Sequence, residues 1–546
     1  MSSKETISTQ YASYNLDHFG MVAGMVDELG IVETIDTLIV QDFDQRLVSV
    51  GTLVKAMILN GLGYINRTLY LMPDFFRDKP VERLLGQGIT AEQLNDDALG
   101  RALDSIFDYG VESLYSQVAA SAMNRLGLLC PEGHLDSTSF HTDGKYNSEA
   151  ESTEGVIQIT KGYSRDHRPD LNQVVLQMIT DGQAGIPILM QPLSGNNSDQ
   201  NSFRATVDEH IKHLNADFGM KLIVADSALF NEKSLAKLGR FPWVSRVPET
   251  ITAAKELIKA TAEALMQTGQ EQAHCSLGVV YAKIKQRWLV VYSEAARHRV
   301  QKTLCRQHLK QSSAKLKAFD QLCRQSFNCT EDAQAALAKF EKGLSLMFVS
   351  ESQIKQIPQY KDKGRPRKDQ TPDSYIYQIE GQLACKPDVH NQKLLQKSCF
   401  ILATNQLDEL SLSDAYLIEA YKKDQQKVER GFRFLKDPRF MASTLFLKSP
   451  TRIMALMMVM TLCLMVYAAL EWRIRQSLKE SQKTFPSQQA VANNKPTARW
   501  VFQCFSGIHL LKIGEGHARV LNLNKHHRSL LTLLGKQYVA IYADTG

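Results

Sequence analysis

The sequence predicts an α/β fold in which a mixed sheet follows a helical region and is interrupted by an insertion. Apolar positions recur at helical spacing before residue 129. From residue 130 short strand-like runs appear, first in succession and then alternating with helices. This alternation stops after residue 250 and resumes near residue 395, which indicates a β-containing insertion within the sheet.

These changes of pattern divide the chain into parts, and 546 residues suffice for about three or four domains of ordinary size. The first part is a helical N-terminal domain suited to docking, dimerisation or recognition of a partner. The parts are 1–128 (helical N-terminal domain), 129–250 (first part of the core), 251–394 (insertion), 395–445 (second part of the core) and 446–546 (an apolar helix and a basic, helical C-terminal region).

The net charge of +6 is unevenly distributed. Residues 1–128 hold nine Lys and Arg against seventeen Asp and Glu, whereas residues 471–546 hold eleven against four. An acidic N-terminal segment followed by a basic remainder is compatible with a polyanion-binding protein, although many metabolic enzymes have an equally uneven charge distribution.

The nine cysteines are scattered, without a CxxC pair or zinc-ribbon spacing, and no apolar leader follows Met1. We therefore expect free thiols, no secretory signal and a reduced, cytoplasmic compartment.

One apolar run leaves two interpretations open. Residues 453–470 contain Thr461 as the only polar side chain, and this length is close to the roughly 20 residues that cross a bilayer. Five methionines in the run and the basic, Asn- and Gln-rich tail after it favour a buried core helix over a membrane span.

The first part of the core is predicted to contain five strands and one helix. The helix covers residues 202–214. The predicted strands cover 133–138, 174–179, 186–190, 221–226 and 243–246. The first is predicted to end near Asp136, and the fourth ends at Asp226.

The insertion combines a hairpin with a long basic helix. Residues 279–284 and 287–293 alternate as hairpin strands, and a helix covers 295–342 with a break near Asn328. A basic loop follows at 361–368. A strand-like segment of the core sheet follows at 398–405, and a helix is predicted over 413–437.

Asp136 and Asp226 are candidate ligands at strand ends. Each alone also fits an Asx turn or a helix cap. Together on one sheet they predict a site, since ligands collect at the carboxyl ends of strands. Carboxylates suit Mg²⁺, and two divalent ions could activate a water and stabilise the leaving oxygen of a phosphodiester.

The helix over 413–437 offers a third carboxylate. Its helical periodicity puts Lys422, Gln425, Glu429, Arg433 and Lys436 on one face. Glu429 would point to the metal ions, with the cations holding phosphates. A solvated charged face gives the same spacing.

Five motifs occur in an order that resembles bacterial insertion-sequence transposases of the DDE type, and more narrowly the 1634 branch of the insertion-sequence 4 superfamily. The resemblance extends to LDHFGMV at 16–22 and WVFQ at 500–503. The motifs are HLDSTSF (134–140), GYSRDHRPDL (162–171), GNNSD (195–199), VADSA (224–228) and ERGFRFLK (429–436).

The resemblance implies a ribonuclease-H-like mixed sheet and a catalytic, metal-binding triad of Asp136, Asp226 and Glu429. The family's last helix carries a Tyr-x2-Arg-x3-Glu-x6-Lys signature. Here Lys436 keeps its place, but Lys422 occupies the Tyr position, with Tyr421 adjacent, and Gln425 occupies the Arg position.

The resemblance also implies Mg²⁺, or Mn²⁺ in its place, as two ions, and double-stranded DNA as substrate. The enzyme would cleave at terminal inverted repeats and transfer the freed 3′-OH into target DNA. We expect a homodimer, association with the nucleoid and no membrane. No GxxxxGK[ST] loop is present, and transesterification needs no energy cofactor. A catalytically inactive, sequence-specific DNA-binding relic is the alternative.

Further candidate DNA contacts lie in the insertion and in the second motif. Trp288 could stack on an unpaired base or belong to a hairpin core. Arg365 and Arg367 could enter a minor groove or lie in a solvated linker. Three residues of the second motif could bind phosphates or form a structural turn. They are Arg165, His167 and Arg168.

Overall fold

The computed structural model contains two compact units. Unit 1 comprises Met1–Ser245, Val280–Lys285 and Thr404–Gly546, and unit 2 comprises Arg246–Val279 and Gln286–Ala403. The structure describes the chain except residues 1–10, 43–45, 65–67, 143–145, 147–154, 164–167, 198–213, 362–369, 438–446, 515 and 546, and except the side chains of 423–427.

Up to residue 128 the described chain is mainly helical, as the apolar spacing predicts, but it begins with a strand. Ser49 and Asn95 cap their helices by accepting hydrogen bonds from the amides of Thr52 and Ala98. The elements are β1 (Tyr11–Asn15), α1 (Phe19–Glu28), α2 (Ile31–Leu38), α3 (Val50–Gly61), α4 (Met72–Phe76), α5 (Val81–Leu85), α6 (Asp96–Tyr109) and α7 (Val111–Leu126).

The next elements form a mixed sheet in unit 1. The sheet has the order β4-β3-β2-β5-β6, in which β3 is antiparallel to β2 and β4, while β2, β5 and β6 are parallel. The elements are β2 (Glu132–Thr142), β3 (Asn172–Asp181), β4 (Pro187–Ser194), β5 (Leu222–Ala225), α8 (Glu232–Leu238) and β6 (Trp243–Arg246). The predicted helix over 202–214 falls almost wholly outside the described residues.

The first strand of this sheet corrects a prediction. Strand β2 does not end near Asp136 but continues to Thr142. It continues because β3 pairs with it over its whole second half, from Asp136 opposite Met178 to Thr142 opposite Asn172. Ser137 and Ser139, which follow Asp136 in this strand, are buried within the sheet.

Two glycines of the second and third motifs permit a close backbone contact beside β3. A Cβ atom on Gly162 would lie 1.9 Å from the carbonyl oxygen of Gly195. A Cβ atom on Gly195 would lie 2.1 Å from the carbonyl oxygen of Gln173. The Gln173 Nε2 donates to the Gly195 oxygen at 2.8 Å. Both positions therefore require glycine for a steric reason.

Unit 2 holds most of the insertion. The hairpin turns at Ala282 and Lys283, which both have positive φ, so the predicted strand over 279–284 is wrong at its end. The basic helix breaks between Arg324 and Thr330, as predicted. The elements are α9 (Thr252–Gln267), β7 (Gln272–Tyr281), β8 (Ile284–Ser293), α10 (Glu294–Arg324), α11 (Thr330–Lys342), β9 (Met347–Gln359), β10 (Ser374–Cys385), α12 (Pro387–Lys397) and β11 (Cys399–Thr404).

The remainder of the chain returns to unit 1. Small strand pairs accompany its helices, so the C-terminal region is not purely helical as predicted. The elements are α13 (Asp414–Leu435), α14 (Pro450–Glu480), β12 (Phe485–Pro486), β13 (Ala492–Asn493), α15 (Ala498–Cys504), β14 (His509–Ile513), β15 (His517–Leu521), α16 (Lys525–Leu534) and α17 (Lys536–Ile541).

Helix α14 contains the apolar run and lies in the interior of unit 1. It is the one helix in the described chain that is long and apolar enough to span a membrane, and 89% of its apolar window is buried. It packs against α1, α3, α6, α7, α13, α15, α16 and β4. A helix that is apolar all round and enclosed in this way serves as the core of the unit.

The two ends of the chain meet in unit 1. Strand β1 pairs with β14, which pairs with β15. His18 lies beside this sheet, with its ring stacked on Phe19 at 4.6 Å and on Phe502 at 4.5 Å between centroids. Its Nε2 donates to the Leu62 carbonyl at 2.9 Å. Burial lowers the pKa of His18 from 6.5 to about 4.

Candidate active site

Asp136 and Asp226 lie on neighbouring strands of the mixed sheet. Parallel strands β2 and β5 pair Leu135 with Ala225, and the residue that follows each of these in the chain is one of the aspartates. This register puts the two aspartates at the same level of the sheet. Neighbouring strands are about 4.8 Å apart, so the two residues are close together. Register alone therefore brings these two acids together, although 90 residues separate them in the chain.

Local hydrogen bonds orient both carboxylates. Asp136 Oδ1 accepts from the Ser137 amide at 2.7 Å, and Asp226 Oδ1 accepts from the Ala228 amide at 2.9 Å. The second bond is the Asx turn that was the alternative interpretation of Asp226. The buried Ser245 of β6 donates its hydroxyl to the Asp226 carbonyl at 2.7 Å, which fixes the backbone where β5 ends.

Helix α13 covers this part of the sheet. It begins after Ser413, whose hydroxyl accepts from the Tyr416 amide and caps the first turn. The Tyr416 hydroxyl donates to the carboxylate of Glu132 at the start of β2. The helix packs on β2 and β5 through buried side chains such as Leu417 and Val428. The third acid is therefore carried by the helix that lies on the two aspartate strands.

Glu429 is on the solvent side of α13. Its side chain is 54% exposed, and Arg433 Nη2 lies 3.8 Å from its Oε2. An exposed pair at this distance contributes little to stability, so the carboxylate is not locked in place by it.

The neighbouring signature residues divide between two faces of α13. Lys422 and Lys436 are half-buried, and Lys436 follows the last helical residue as its C-cap. Tyr421 is 8% exposed and belongs to the buried face, so its ring is not on the surface that carries Glu429. The side chain of Gln425 lies outside the described residues.

A cationic groove adjoins Glu429 between α13 and α14. On one side lie Arg430 and Arg433, with Phe434 stacked on Tyr467 of α14 at 4.5 Å between centroids. Its acids are paired, because Asp437 contacts Arg499 and Glu471 contacts Arg475. The groove continues along α14 past side chains that sequence reasoning did not single out. They are Arg475, Lys479 and Lys495.

The sequence does carry a weak signal for these last residues, because the segment after 470 has a net positive charge. It does not indicate which of its cations face the groove, since α14 is apolar over most of its length and gives no amphipathic pattern.

The donor chemistry of the three acids suits a hard divalent cation, since Mg²⁺ binds carboxylate oxygens. Asp136 and Asp226 are adjacent, as a shared ion requires, and Glu429 lies on the helix above them. Within the described part of the chain, no three His, Cys, Asp or Glu side chains are already gathered as a metal cage. The residues fit the ion in type and in strand placement, and Glu429 would have to move inward to join them.

The outlying candidates are placed differently. Trp288 is 1% exposed and donates its Nε1–H to Gln286 Oε1 at 2.9 Å, so it is a core residue of unit 2 and not available for stacking on a base. Arg168 forms a bidentate contact with Asp170, as a structural turn does. The remaining candidates lie outside the described residues. They are Arg365, Arg367, Arg165 and His167.

Comparison with known proteins bears on this arrangement. The family model described as "Transposase DDE domain" matches residues 132–466, which is more than half of the chain and includes all three acids. The chain belongs to this family. A second model, a domain of unknown function (DUF4277), matches residues 11–120.

Other comparisons add little to the family assignment. A search of curated proteins gives no match. Among solved structures, the chain is similar to one described as the cryo-EM structure of the piggyBac transposase synaptic complex with hairpin DNA. The identity is 9%, the TM-score is 0.37, and the match covers 91% of this chain and 82% of that one. A similarity this low carries no argument about function.

Proposed function

We propose that this protein is the DNA transposase of an insertion sequence, which cleaves DNA at the ends of the element and joins them to a target. The observation that carries the proposal is the in-register adjacency of Asp136 and Asp226 inside a region that matches the transposase family. Two neighbouring carboxylates are suitable ligands for divalent ions, and a pair of such ions can stabilise both the attacking and the leaving oxygen of a phosphodiester.

Two narrower assignments belong to the same proposal. The sheet is of the ribonuclease-H-like type, which the antiparallel β4-β3-β2 meander followed by parallel strands supports. Within the family, the five ordered motifs support the 1634 branch of the insertion-sequence 4 superfamily.

Asp136, Asp226 and Glu429 would hold Mg²⁺, or Mn²⁺ in its place, most simply as two ions. When bound, the ions supply Lewis-acid activation of a water and neutralise charge on the phosphoryl oxygens. The exposed Glu429 would turn inward from its weak contact with Arg433.

The chain's own residues then position DNA. Arg433, Lys436 and Lys422 would contact backbone phosphates near the scissile bond, with Arg430 and the groove beside α14 extending the contact. In the first step a water oxygen bonds to phosphorus, and the bond from phosphorus to the 3′ oxygen breaks, which leaves a 3′-OH. In the second step that hydroxyl bonds to a target phosphorus while the target releases its own 3′ oxygen.

The partners follow from this reaction. They are double-stranded DNA at the terminal inverted repeats, target DNA, and a second copy of the chain, since pairing two ends needs at least two protomers. Such a protein would act in the cytoplasm on the nucleoid.

The test uses the inverted repeats that flank the coding sequence. Purified protein is incubated with a labelled end duplex and Mg²⁺ or Mn²⁺, beside Asp226→Asn. Asp217→Asn is the matched control, because Asp217 is an exposed acid of the same unit with the same change in charge.

Cleavage at the repeat boundary by the wild type and by Asp217→Asn, but not by Asp226→Asn, is the expected result. Binding without cleavage in both metals would overturn the enzymatic proposal and favour the DNA-binding relic. A protein that neither binds nor cleaves the duplex would contradict both functions.

A further inference from the structure

Helix α10 of unit 2 carries a row of cations along one side. Its 31 residues include eight Lys and Arg and only two acids, Glu294 and Asp320. At 100° per residue, six of the eight cations fall within an arc of about 80°. We call them the cationic row. They are Arg299, Lys302, Arg306, Lys310, Lys317 and Arg324.

The cationic row faces away from the packed side of the helix. Leu304 and Phe319, the buried residues of α10, lie on the opposite side of the helical wheel. All six cations are exposed. Arg297, which lies on the packed side, is by contrast paired with Glu294.

The row is not neutralised by its surroundings. None of its six side chains forms an ion pair or hydrogen bond with any residue that the structure describes. Asp320 is the one acid within the arc. Six like charges on one side of a helix repel one another, so the row is stabilised by an anionic partner.

The dimensions fit a DNA duplex. From Arg299 to Arg324 the row extends about 38 Å, at 1.5 Å per residue. A duplex presents a negative charge about every 1.7 Å along its axis, so that length offers roughly 22 phosphates. Double-stranded DNA therefore offers the long and regular line of negative charge that a straight row of cations can contact.

We infer that the cationic row of α10 binds the phosphate backbone of double-stranded DNA through residues of unit 2, distinct from the three acids. This inference rests on the proposed function, because it assumes that DNA is the substrate. The row consists of Lys and Arg side chains alone, which are common ligands of backbone phosphates, and phosphate contacts carry no direct sequence information. It therefore contributes affinity that is sensitive to salt and indifferent to sequence.

The test measures binding of the full-length protein to a 40-base-pair duplex of arbitrary sequence, in EDTA so that no cleavage occurs. The variant combines Lys302→Gln, Arg306→Gln, Lys310→Gln and Lys317→Gln. The control combines Lys255→Gln, Lys259→Gln, Lys339→Gln and Lys342→Gln, which removes four exposed charges from α9 and α11 of the same unit. Dissociation constants are taken from 50 to 200 mM KCl.

Each lost phosphate contact lowers the slope of log affinity against log salt by about 0.9. The row variant is therefore expected to lose about 3 to 4 from that slope, and the control less than about 1. Circular dichroism and the thermal midpoint of both variants should match the wild type, because all eight side chains are exposed.

A row variant with the wild-type slope would overturn the inference. If wild-type protein still cleaves the end duplex in Mg²⁺, only the inference fails and the proposed function stands. If the row variant instead changes the oligomeric mass without DNA at low salt, while the DNA slope is unchanged, the row binds a second copy and the inference is wrong. A wild type that binds no duplex would overturn both.

Discussion

Mild acid should destabilise unit 1 through His18. The ring is enclosed between Phe19 and Phe502, and its Nε2 donates to the Leu62 carbonyl. Burial favours the neutral imidazole and lowers the pKa of His18 from 6.5 to about 4. The unfolded chain therefore takes up a proton before the folded chain does. The stabilisation is complete above pH 6.5 and is lost as the pH falls toward 4.

The magnitude follows from these two values. A pH of 5 is about 1.5 units below the pKa of His18 in the unfolded chain, where the imidazole is therefore protonated, while His18 in the folded chain is still mainly neutral. Each unit is worth about 1.36 kcal/mol, so lowering the pH from 7.5 to 5 removes about 2 kcal/mol of unfolding free energy. This is a sizeable part of the 5–15 kcal/mol that a folded domain typically has.

The assay is urea unfolding of the wild type and of His18→Phe at pH 7.5, 6.5, 5.5 and 5. Phenylalanine keeps the stacking but removes the titration, and it leaves the Leu62 carbonyl without this donor at a cost of about 1–3 kcal/mol at every pH. The stability advantage of the wild type should shrink by about 2 kcal/mol across the series. A constant difference would refute the reasoning, because carboxylates that titrate in both proteins cancel.

Three further outcomes are expected. Gly195→Ala should lower the free energy of unfolding by about 3 kcal/mol or more, because its Cβ would lie 2.1 Å from the Gln173 carbonyl oxygen. Gly278→Ala, which meets open space, should cost nothing in the same urea titration, and equal losses would contradict the steric argument. Cys305 and Cys385 should react with a disulfide reagent in the native protein, whereas Cys130, Cys399 and Cys463 should react only after unfolding. Burial raises the pKa of all three, that of Cys399 to about 12, and peptide mapping by mass spectrometry would expose an early reaction at any of them. Finally, the protein should be purified without detergent, and Met460→Lys should abolish soluble protein because that fully buried side chain lies in α14. Recovery of the wild type only from detergent extracts would instead support a membrane span.

Local patterns predicted many of the elements. Strand β6 and the break between α10 and α11 lie at their predicted positions, since each depends on its own residues. Helix α13 starts one residue after its predicted start because Ser413 is its cap. The hairpin turn was missed because Ala282 and Lys283 adopt positive φ without glycine, which leaves no signal in the sequence.

Long-range pairing set the features that could not be predicted. The length of β2 depends on β3, and β14 pairs with β1 across about 500 residues. The same holds at the site. That Asp136 and Asp226 belong to strands of one sheet could be anticipated from local pattern, although only Asp226 lies at a strand end. The burial of Tyr421 and Trp288 depends on which faces are packed. An isolated aromatic residue does not reveal that.

The pairing of β1 with β14 has a consequence during synthesis. The Tyr542 hydroxyl donates to the Asp17 carbonyl, 525 residues earlier. At about 5–20 residues per second, roughly 25–100 s pass between the emergence of the two partners from the ribosome. During that interval β1 has an edge that is not yet paired with β14, and the residues next to α1 are not yet in contact with Tyr542. A message truncated shortly before codon 509 would therefore yield a protein defective at its beginning as well as at its end.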